Sequence, residues 1–475
     1  LIESEHKFTL KPGDSKMKFK LNTISMVTAA CLASTGQLAQ ATEVFRLEGF
    51  GAVSRAMGGT AVAFNVGAAG MMTNPATLSL MAPGSELHLG LDLITTDINV
   101  ENQSTGESVS SGTHSSNRGP YLAPEAAYTH RNGDLAYGIG AFAQGGLGTE
   151  YGSSSFLSRA AGGLNTGLEN SSRLLVLNIP FAASYQVNEK LAVGASVDAM
   201  WQGLNLDLLL GAGQVGALIG AGRVNGSLLP VLGGLPDMRG AHFSLTKNKP
   251  LASGVESWGF GGRIGLTYKM SNDTMVGLDY AMESQMKDMD GRATLTAIDG
   301  IAGQIPLAGN IRLRNFQMPA KLDFGLSHRF NDRWMMAVDV SQVFWEHAMK
   351  DINVGFVADG GGTLDILLPQ NYKDQTILAL GVAYQIGNWT LRGGARLATQ
   401  ALRSETLFAV IPATPRKHVS AGFSYAFSKE SSLDVAYSHA FEETMGNPGG
   451  TSNSADPIQT THSQNNVTIG YTHRF

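Results

Sequence analysis

Leu191-Ala192-Val193-Gly194-Ala195-Ser196-Val197-Asp198-Ala199-Met200-Trp201, entered through Asn188-Glu189-Lys190, is the stretch that decides the fold. Its odd positions hold Leu, Val, Ala, Val, Ala and Trp. Its even positions hold Ala, Gly, Ser, Asp and Met. A repeat of two places alternate side chains on opposite faces of a β-strand. One face is apolar and the other small or polar, so the strand separates two differently solvated surroundings.

The same alternation recurs downstream. Apolar faces are Leu322, Phe324 and Leu326; Trp334, Met336, Val338 and Val340; Leu378, Leu380, Val382 and Tyr384; Val419, Ala421, Phe423, Tyr425 and Phe427; and Leu433, Val435 and Tyr437. Asp323, Asp339, Ser420, Ser424, Asp434 and Ser438 stand on the partner faces. A soluble sandwich also alternates, and three features favour a membrane barrel instead.

Connections alternate between short and long. The short ones are Arg131-Asn132-Gly133, Asn188-Glu189-Lys190, Ser271-Asn272, Asn331-Asp332-Arg333, Gly387-Asn388 and Ser428–Ser431. Polar or irregular segments lie between them, near 101–118, 148–172, 208–255, 286–314, 349–371, 403–415 and 443–464. Outer-membrane barrels have short periplasmic turns and long external loops. Aromatic residues stand at strand ends (Trp258, Tyr268, Trp334, Trp345, Tyr384, Trp389, Tyr425), where interfacial girdles lie. The chain ends in an alternating strand, Val467-Thr468-Ile469-Gly470-Tyr471-Thr472-His473-Arg474-Phe475, whose aromatic last residue suits recognition by a barrel-assembly machinery. Six short turns join twelve strands, and strands near 86–100 and 465–475 bring the expected number to fourteen. The expected fold is thus all-β, a 14-stranded antiparallel transmembrane β-barrel over 85–475.

Composition agrees. Charged residues make up 15% of the chain, and there are 58 Gly against 16 Pro; so much Gly would weaken helices. Met17-Lys18-Phe19-Lys20 is a basic start, Leu21 to Leu32 is apolar, and Ala39-Gln40-Ala41 is a small-residue cleavage site, so 17–41 reads as a signal peptide. Residues 1–16 read as upstream or appended sequence. The apolar run is too short to cross a bilayer as a helix. Cys31, the single cysteine, falls inside the signal, so no disulfide or thiol chemistry is expected of the mature chain. Residues 1–41 hold five of the 34 basic and three of the 39 acidic residues; 29 basic and 36 acidic remain, a net of −7 that argues against a nucleic-acid partner.

Residues 42–84 are rich in Gly and Ala and break the strand pattern, with helical spacing at Val53, Ala56 and Met57. They lie outside the barrel or plug it. Phe45-Arg46-Leu47-Glu48-Gly49-Phe50-Gly51-Ala52-Val53-Ser54-Arg55-Ala56-Met57-Gly58-Gly59-Thr60-Ala61, followed by Asn74-Pro75-Ala76, resembles the N-terminal hatch of the FadL/TodX family of outer-membrane channels for long-chain fatty acids and aromatic hydrocarbons. The resemblance implies a hatch that plugs a fourteen-stranded barrel, with Phe45, Leu47 and Phe50 facing the pocket and Asn74, Pro75 and Ala76 as its fixed motif. Gln144-Gly145-Gly146-Leu147-Gly148-Thr149-Glu150-Tyr151 is similar to the family's kinked third strand, which implies a wall gap at Gly145 and Gly146.

The 208–255 segment is too apolar for a water-facing loop. Leu228, Leu229, Val231 and Leu232 are read either as packed helix faces or as a greasy landing groove. Inward charges (among them Asp198, Arg263, Asp279, Asp323, Asp339 and Arg396) should mostly form lumen ion pairs; Arg312 and Arg314 near the mouth are candidate carboxylate partners. No H-E-x-x-H, P-loop or G-x-S-x-G occurs, and the histidines lack ligand spacing, so no enzyme, metal or cofactor is expected.

These readings converge on a monomeric channel in a Gram-negative outer membrane, in contact with lipid and lipopolysaccharide. It would take up hydrophobic compounds passively, with long-chain fatty acids expected first, and release them sideways through the wall. Aromatic hydrocarbons are the alternative cargo, and a structural or adhesive barrel is the alternative class.

Overall fold

The computed structural model describes residues 44–112, 121–245 and 254–475. The expected upstream segment 1–16 and signal 17–41 lie outside the described residues, as do Thr42 and Glu43. Fourteen strands follow one another round the wall: β1 (Gly84–Asn102), β2 (Tyr121–Asn132), β3 (Leu135–Gly152), β4 (Asn170–Gln186), β5 (Leu191–Gly211), β6 (Glu256–Lys269), β7 (Thr274–Ala281), β8 (Lys321–Arg329), β9 (Trp334–Val343), β10 (Gln375–Ile386), β11 (Trp389–Ala398), β12 (Lys417–Ala426), β13 (Ser431–Asn447) and β14 (Ile458–Arg474). Each pairs antiparallel with the next. β14 pairs back onto β1 from Glu86↔Arg474 to Asn102↔Ile458, closing the ring. Closure is what a bilayer demands, because lipid cannot satisfy an open strand edge.

Alternation sets the two faces. Val193 and Val197 point outward and Val197 is 67% exposed, whereas Ala192, Ser196, Asp198 and Met200 are buried. Phe260, Ile264, Phe324 and Leu378 are likewise exposed on the outside. Such a surface would aggregate in water and is satisfied by hydrocarbon. Trp258, Tyr268, Trp334 and Trp389 are all exposed, as the girdle expectation requires. Trp334 lies 4.6 Å from Tyr384, and Trp389 lies 4.6 Å from Tyr425. Trp345 departs from it. The chain turns inward after β9 into a short helix, Trp345–Ala348, and carries the indole into the lumen, fully buried.

The main sheet contains twenty-two strands among the described residues, more than the fourteen expected. The other eight come largely from segments read as irregular connections. Met238–Ser244 pairs with the end of β5 and with Met289–Asp299; then follow Gly303–Arg314, Asp351–Ala358 and Thr363–Pro369. The physical reason is alternation within those connections. Ile311 and Leu313, Ile352, Val354 and Phe356, and Leu364, Ile366 and Leu368 all have a period of two and turn one apolar face inward.

Residues 44–83 occupy the lumen. They form α1 (Gly51–Ala56), α2 (Gly70–Thr73) and a 3-10 turn from Pro75 to Leu80. Phe50, Met57, Phe64, Met71, Met72 and Leu78 pack on small wall residues such as Ala127, Ala136, Ala182 and Ala337. Close approach needs glycine on the wall. A Cβ at Gly381 would stand 2.6 Å from Met57, and one at Gly422 would stand 2.7 Å from Ala56.

Candidate functional site

The site begins where the wall ladder fails. β2 and β3 pair from Asn132↔Leu135 only as far as Glu125↔Phe142. β2 stays with β1 up to Ile94↔Tyr121, and β3 runs on beside β4 to Gly152. Among the described residues, the edge of β3 above Phe142 therefore has no strand of the wall paired with it. The register of β3 against β4 also shifts between Ala143 and Gly145, leaving Gln144 as a bulge; a bulge bends a strand and sharpens its twist.

The chain's own arm, Val44–Leu47, fills this edge. The N–H of Gly146 donates to the Phe45 carbonyl at 2.8 Å, and the N–H of Leu47 donates to the Gln144 carbonyl at 3.2 Å. Arg46 and Gly145 form the bridge between them. A Cβ at Gly145 would collide with the Phe45 carbonyl, so the arm's seat requires glycine there. The expected gap residues thus lie at the break, in direct contact with the hatch.

Two cavities meet at the arm. The first occupies the gap and holds about 1050 Å³, its open mouth included. Val44, Phe45 and Leu47 of the arm, Leu122 and Ala123 of β2, Gly145–Thr149 of β3 and Val410–Ala413 line it, with Tyr121, Arg173 and His462 among its polar groups. The second, about 750 Å³, has only apolar side chains round it, including Leu204, Leu208, Phe243, Leu313, Phe316, Val354, Ile366 and Phe408. Phe45, Leu147, Val410 and Ile411 line both. Phe45 is held by three rings: Phe316 at 6.3 Å, Trp345 at 5.5 Å and Tyr372 at 6.0 Å. Phe50 lines neither; it packs against Phe142, 6.4 Å away.

A third apolar space, about 570 Å³, opens in the 208–255 segment. Leu208 to Gly211 complete β5, and the chain goes on through α3 (Ala212–Gly220) and α4 (Leu228–Gly233) to the strand Met238–Ser244. Val215, Leu218 and Ile219 of α3 and Leu229 and Leu232 of α4 line it. Leu210, Phe243 and Ile366 belong to both this groove and the second cavity. Leu228 is buried and Val231 is 64% exposed, so the four residues singled out in the sequence divide: two line the groove, one packs and one faces outward.

Arg312 and Arg314 are carried away from the cavities by the alternation that turns Ile311 and Leu313 inward. Arg312 pairs with Asp290 at 2.5 Å and Arg314 with Asp365 at 2.9 Å, all four partly exposed. Reasoning from the sequence marked the 208–255 segment as apolar but missed the lining from 311–316 and 352–368. Its signal was the period of two inside connections taken as irregular.

Charges secure the hatch. Arg55, 1% exposed, lies 2.7 Å from Glu48 and 3.1 Å from Asp92 of β1. Burial alone would raise the Glu48 pKa, but Arg55 and then His418, with the Ser438 hydroxyl, bring it down to about 2. The amides of Ala61 and Val62 donate to Asp339 at 2.7 and 3.2 Å. Arg263 pairs with Asp279 and donates to the Thr73 carbonyl, each at 3.1 Å. Asn74, fully buried, donates to the carbonyls of Val62 at 2.7 Å and Leu266 of β6 at 3.1 Å, and accepts from the Ala76 amide at 3.1 Å. The Asn-Pro-Ala motif therefore meets the wall at β6 through Asn74 and at β4 through the Ala76 carbonyl, which accepts from the Ser184 hydroxyl at 3.1 Å, on different strands from the bulge. Among the described residues no group of His, Cys, Asp or Glu is arranged to hold a metal ion.

Comparison with known proteins fits this architecture. The crystal structure of the P. putida toluene transporter TodX superposes with a TM-score of 0.81 and 41% identity, covering 90% of this chain and 99% of that one. The Ralstonia pickettii toluene transporter TbuX gives 0.77 and 46% identity, covering 90% and 99%. A protein of Salmonella typhi named long-chain fatty acid transport protein is 25% identical over 323 residues, 66% of this chain and 68% of that protein. Residues 29–475 match the family described as outer membrane protein transport protein (OMPP1/FadL/TodX), and the chain belongs to that family, a β-barrel of the Gram-negative outer membrane.

Proposed function

We propose that this outer-membrane channel carries small uncharged hydrophobic molecules, monoaromatic hydrocarbons ahead of long-chain fatty acids. The carrying observation is the second cavity, whose eighteen lining residues are all apolar. A carboxylate there would be buried without a partner, at a cost of several kcal/mol or more. A toluene-like ring loses nothing by leaving water and gains about 25 cal/mol for each Å² it buries. The names of TodX and TbuX support the same cargo. This reverses the order expected from the sequence.

The route runs through shared walls: outer groove, second cavity, then the gap cavity past Phe45. Exit is sideways into the outer leaflet, since an apolar molecule prefers lipid to a wet pore. The outward Leu and Phe residues meet that lipid, and Phe475, 72% exposed, is presented to the assembly machinery of a monomeric barrel.

Fatty-acid transport is the second reading. It is favoured by a smaller charged cavity, about 430 Å³, where Arg46, Arg263, Lys321 and Arg396 stand beside Leu47, set against Glu48, Asp323 and Asp339. Uptake of labelled toluene and labelled oleate by cells lacking their own channel, at matched surface expression, decides between them. Toluene uptake without oleate uptake is expected. Oleate uptake alone would reverse the assignment, and binding of neither would leave a structural or adhesive barrel.

A further inference from the structure

The bulge at Gln144 is held by side chains that line neither the gap cavity nor the two apolar ones. Its amide oxygen accepts from Nδ2 of Asn178 on β4 at 3.2 Å. The same Nδ2 donates to Oδ2 of Asp198 on β5 at 3.1 Å, and Oδ1 of Asp198 accepts from the Ser196 hydroxyl at 2.6 Å. Gln144 is 5% exposed, Asn178 1% and Asp198 3%. The chain of bonds thus runs across three adjacent strands on the lumen side.

Pairing between wall strands is interrupted here on both sides, and the hatch arm bonds β3 at Gln144 and Gly146 in place of β2. β3 leaves β2 at Phe142. Its ladder to β4 lapses between Ile139↔Phe181 and Phe142↔Asn178, the interval that contains Pro180, which has no N–H to give. The bulge follows at once. A bulge in a loosely paired strand can slide by one residue, and a one-residue slip turns every later side chain to the opposite face. Something must fix which residue is the extra one.

We propose that Asn178 and Asp198 are positioning residues for transport: by holding the Gln144 side chain in the lumen they pin the register of upper β3 and keep the wall gap from closing against β2. This rests on the lateral-exit reading for its link to uptake, but the pinning itself is a statement about geometry. Asn178→Leu removes the link while keeping the branched shape of the side chain. Gln144→Ala removes it from the other end, leaving the Asn178–Asp198 bond in place.

The test is a distance. Spin labels at Leu122→Cys on β2 and Leu175→Cys on β4 flank β3 on its outer side, in a background with Cys31, the single cysteine, changed to Ser. In purified full barrels, Asn178→Leu and Gln144→Ala should each shorten the mean label distance, with no further change in the double variant, since both break one chain. Saturating toluene uptake should fall about five-fold, the scale of one lost buried hydrogen bond, while the Kd for toluene stays as in the wild type. A wild-type distance in folded, heat-modifiable Gln144→Ala barrels would overturn the proposal, whatever uptake does. A shortened distance with unchanged uptake would support the pinning and instead overturn the lateral-exit reading.

Discussion

Gly146 and Phe45 are joined main chain to main chain: the Gly146 N–H donates to the Phe45 carbonyl at 2.8 Å, so the hatch supplies β3 with the partner that β2 withdraws above Phe142. An unpaired amide at membrane depth costs several kcal/mol, which makes the seated arm the resting state. The same residue places its ring between two cavities, so releasing the edge and clearing the passage are one movement.

Valine at both Gly145 and Gly146 should remove that coupling. A side chain at Gly145 takes the place of the Phe45 carbonyl, and a Cβ at Gly146 would stand 2.7 Å from the Leu174 carbonyl. Uptake of the carried substrate by the Gly145→Val/Gly146→Val pair is expected to drop by about ten-fold or more, the equivalent of roughly 1.4 kcal/mol. Uptake at the wild-type rate, at equal surface level, would refute passage through this gap.

Asn74→Ala deletes both donated bonds and the cap on Ala76 while leaving the barrel's own ladder intact. The hatch should lose about 1–3 kcal/mol of anchoring. Because the wall partner is Leu266, the effect should appear first as faster amide exchange at residues 62–80, and in uptake only through the hatch body. Hydrogen exchange of the purified barrel checks this; protection unchanged from the wild type would remove Asn74 as a restraint.

The outer helices can be dissected residue by residue. Leu229→Ser with Leu232→Ser should raise the half-saturating toluene concentration about ten-fold, because both line the groove. Val231→Ser should do nothing. Leu228→Ser should loosen the segment instead, since Leu228 packs against Gly362. Concentration dependence of uptake distinguishes these outcomes, and equal effects from all four would mean that the groove is only a packing interface.

Arg55 ties Glu48 to Asp92 in a dry environment. Arg55→Leu leaves two buried acids facing each other and should destabilise the seated hatch by about 3–5 kcal/mol. Acid should act on the same link. The Glu48 pKa is lower in the folded protein, about 2, than its ordinary value of 4.5. Its contribution is therefore complete above pH 4.5 and disappears as the pH falls toward 2. A spin label at Asn65→Cys, an exposed hatch position, should gain mobility across that window in the wild type and already be mobile at pH 7 in Arg55→Leu.

The barrel was legible because membrane strands carry their address in a two-residue period. Leu191 to Trp201 shows its faces without reference to any partner, and each short turn, such as Asn188-Glu189-Lys190, separates two strands locally. The hatch was legible only as a resemblance, since its Gly and Ala make sense against a wall that the sequence does not display. Tertiary structure decided the rest. Arg312 and Arg314 look available as cations until Asp290 and Asp365, distant in sequence, come to face them. Trp345 looks like a girdle residue until the turn after β9 carries it against Phe45. Local periodicity fixes which way a side chain points, but a cavity exists only where residues far apart in the chain, here 45, 147, 204–210, 243, 311–316, 352–368 and 408–411, are brought around one space, and that depends on strand order, register and closure.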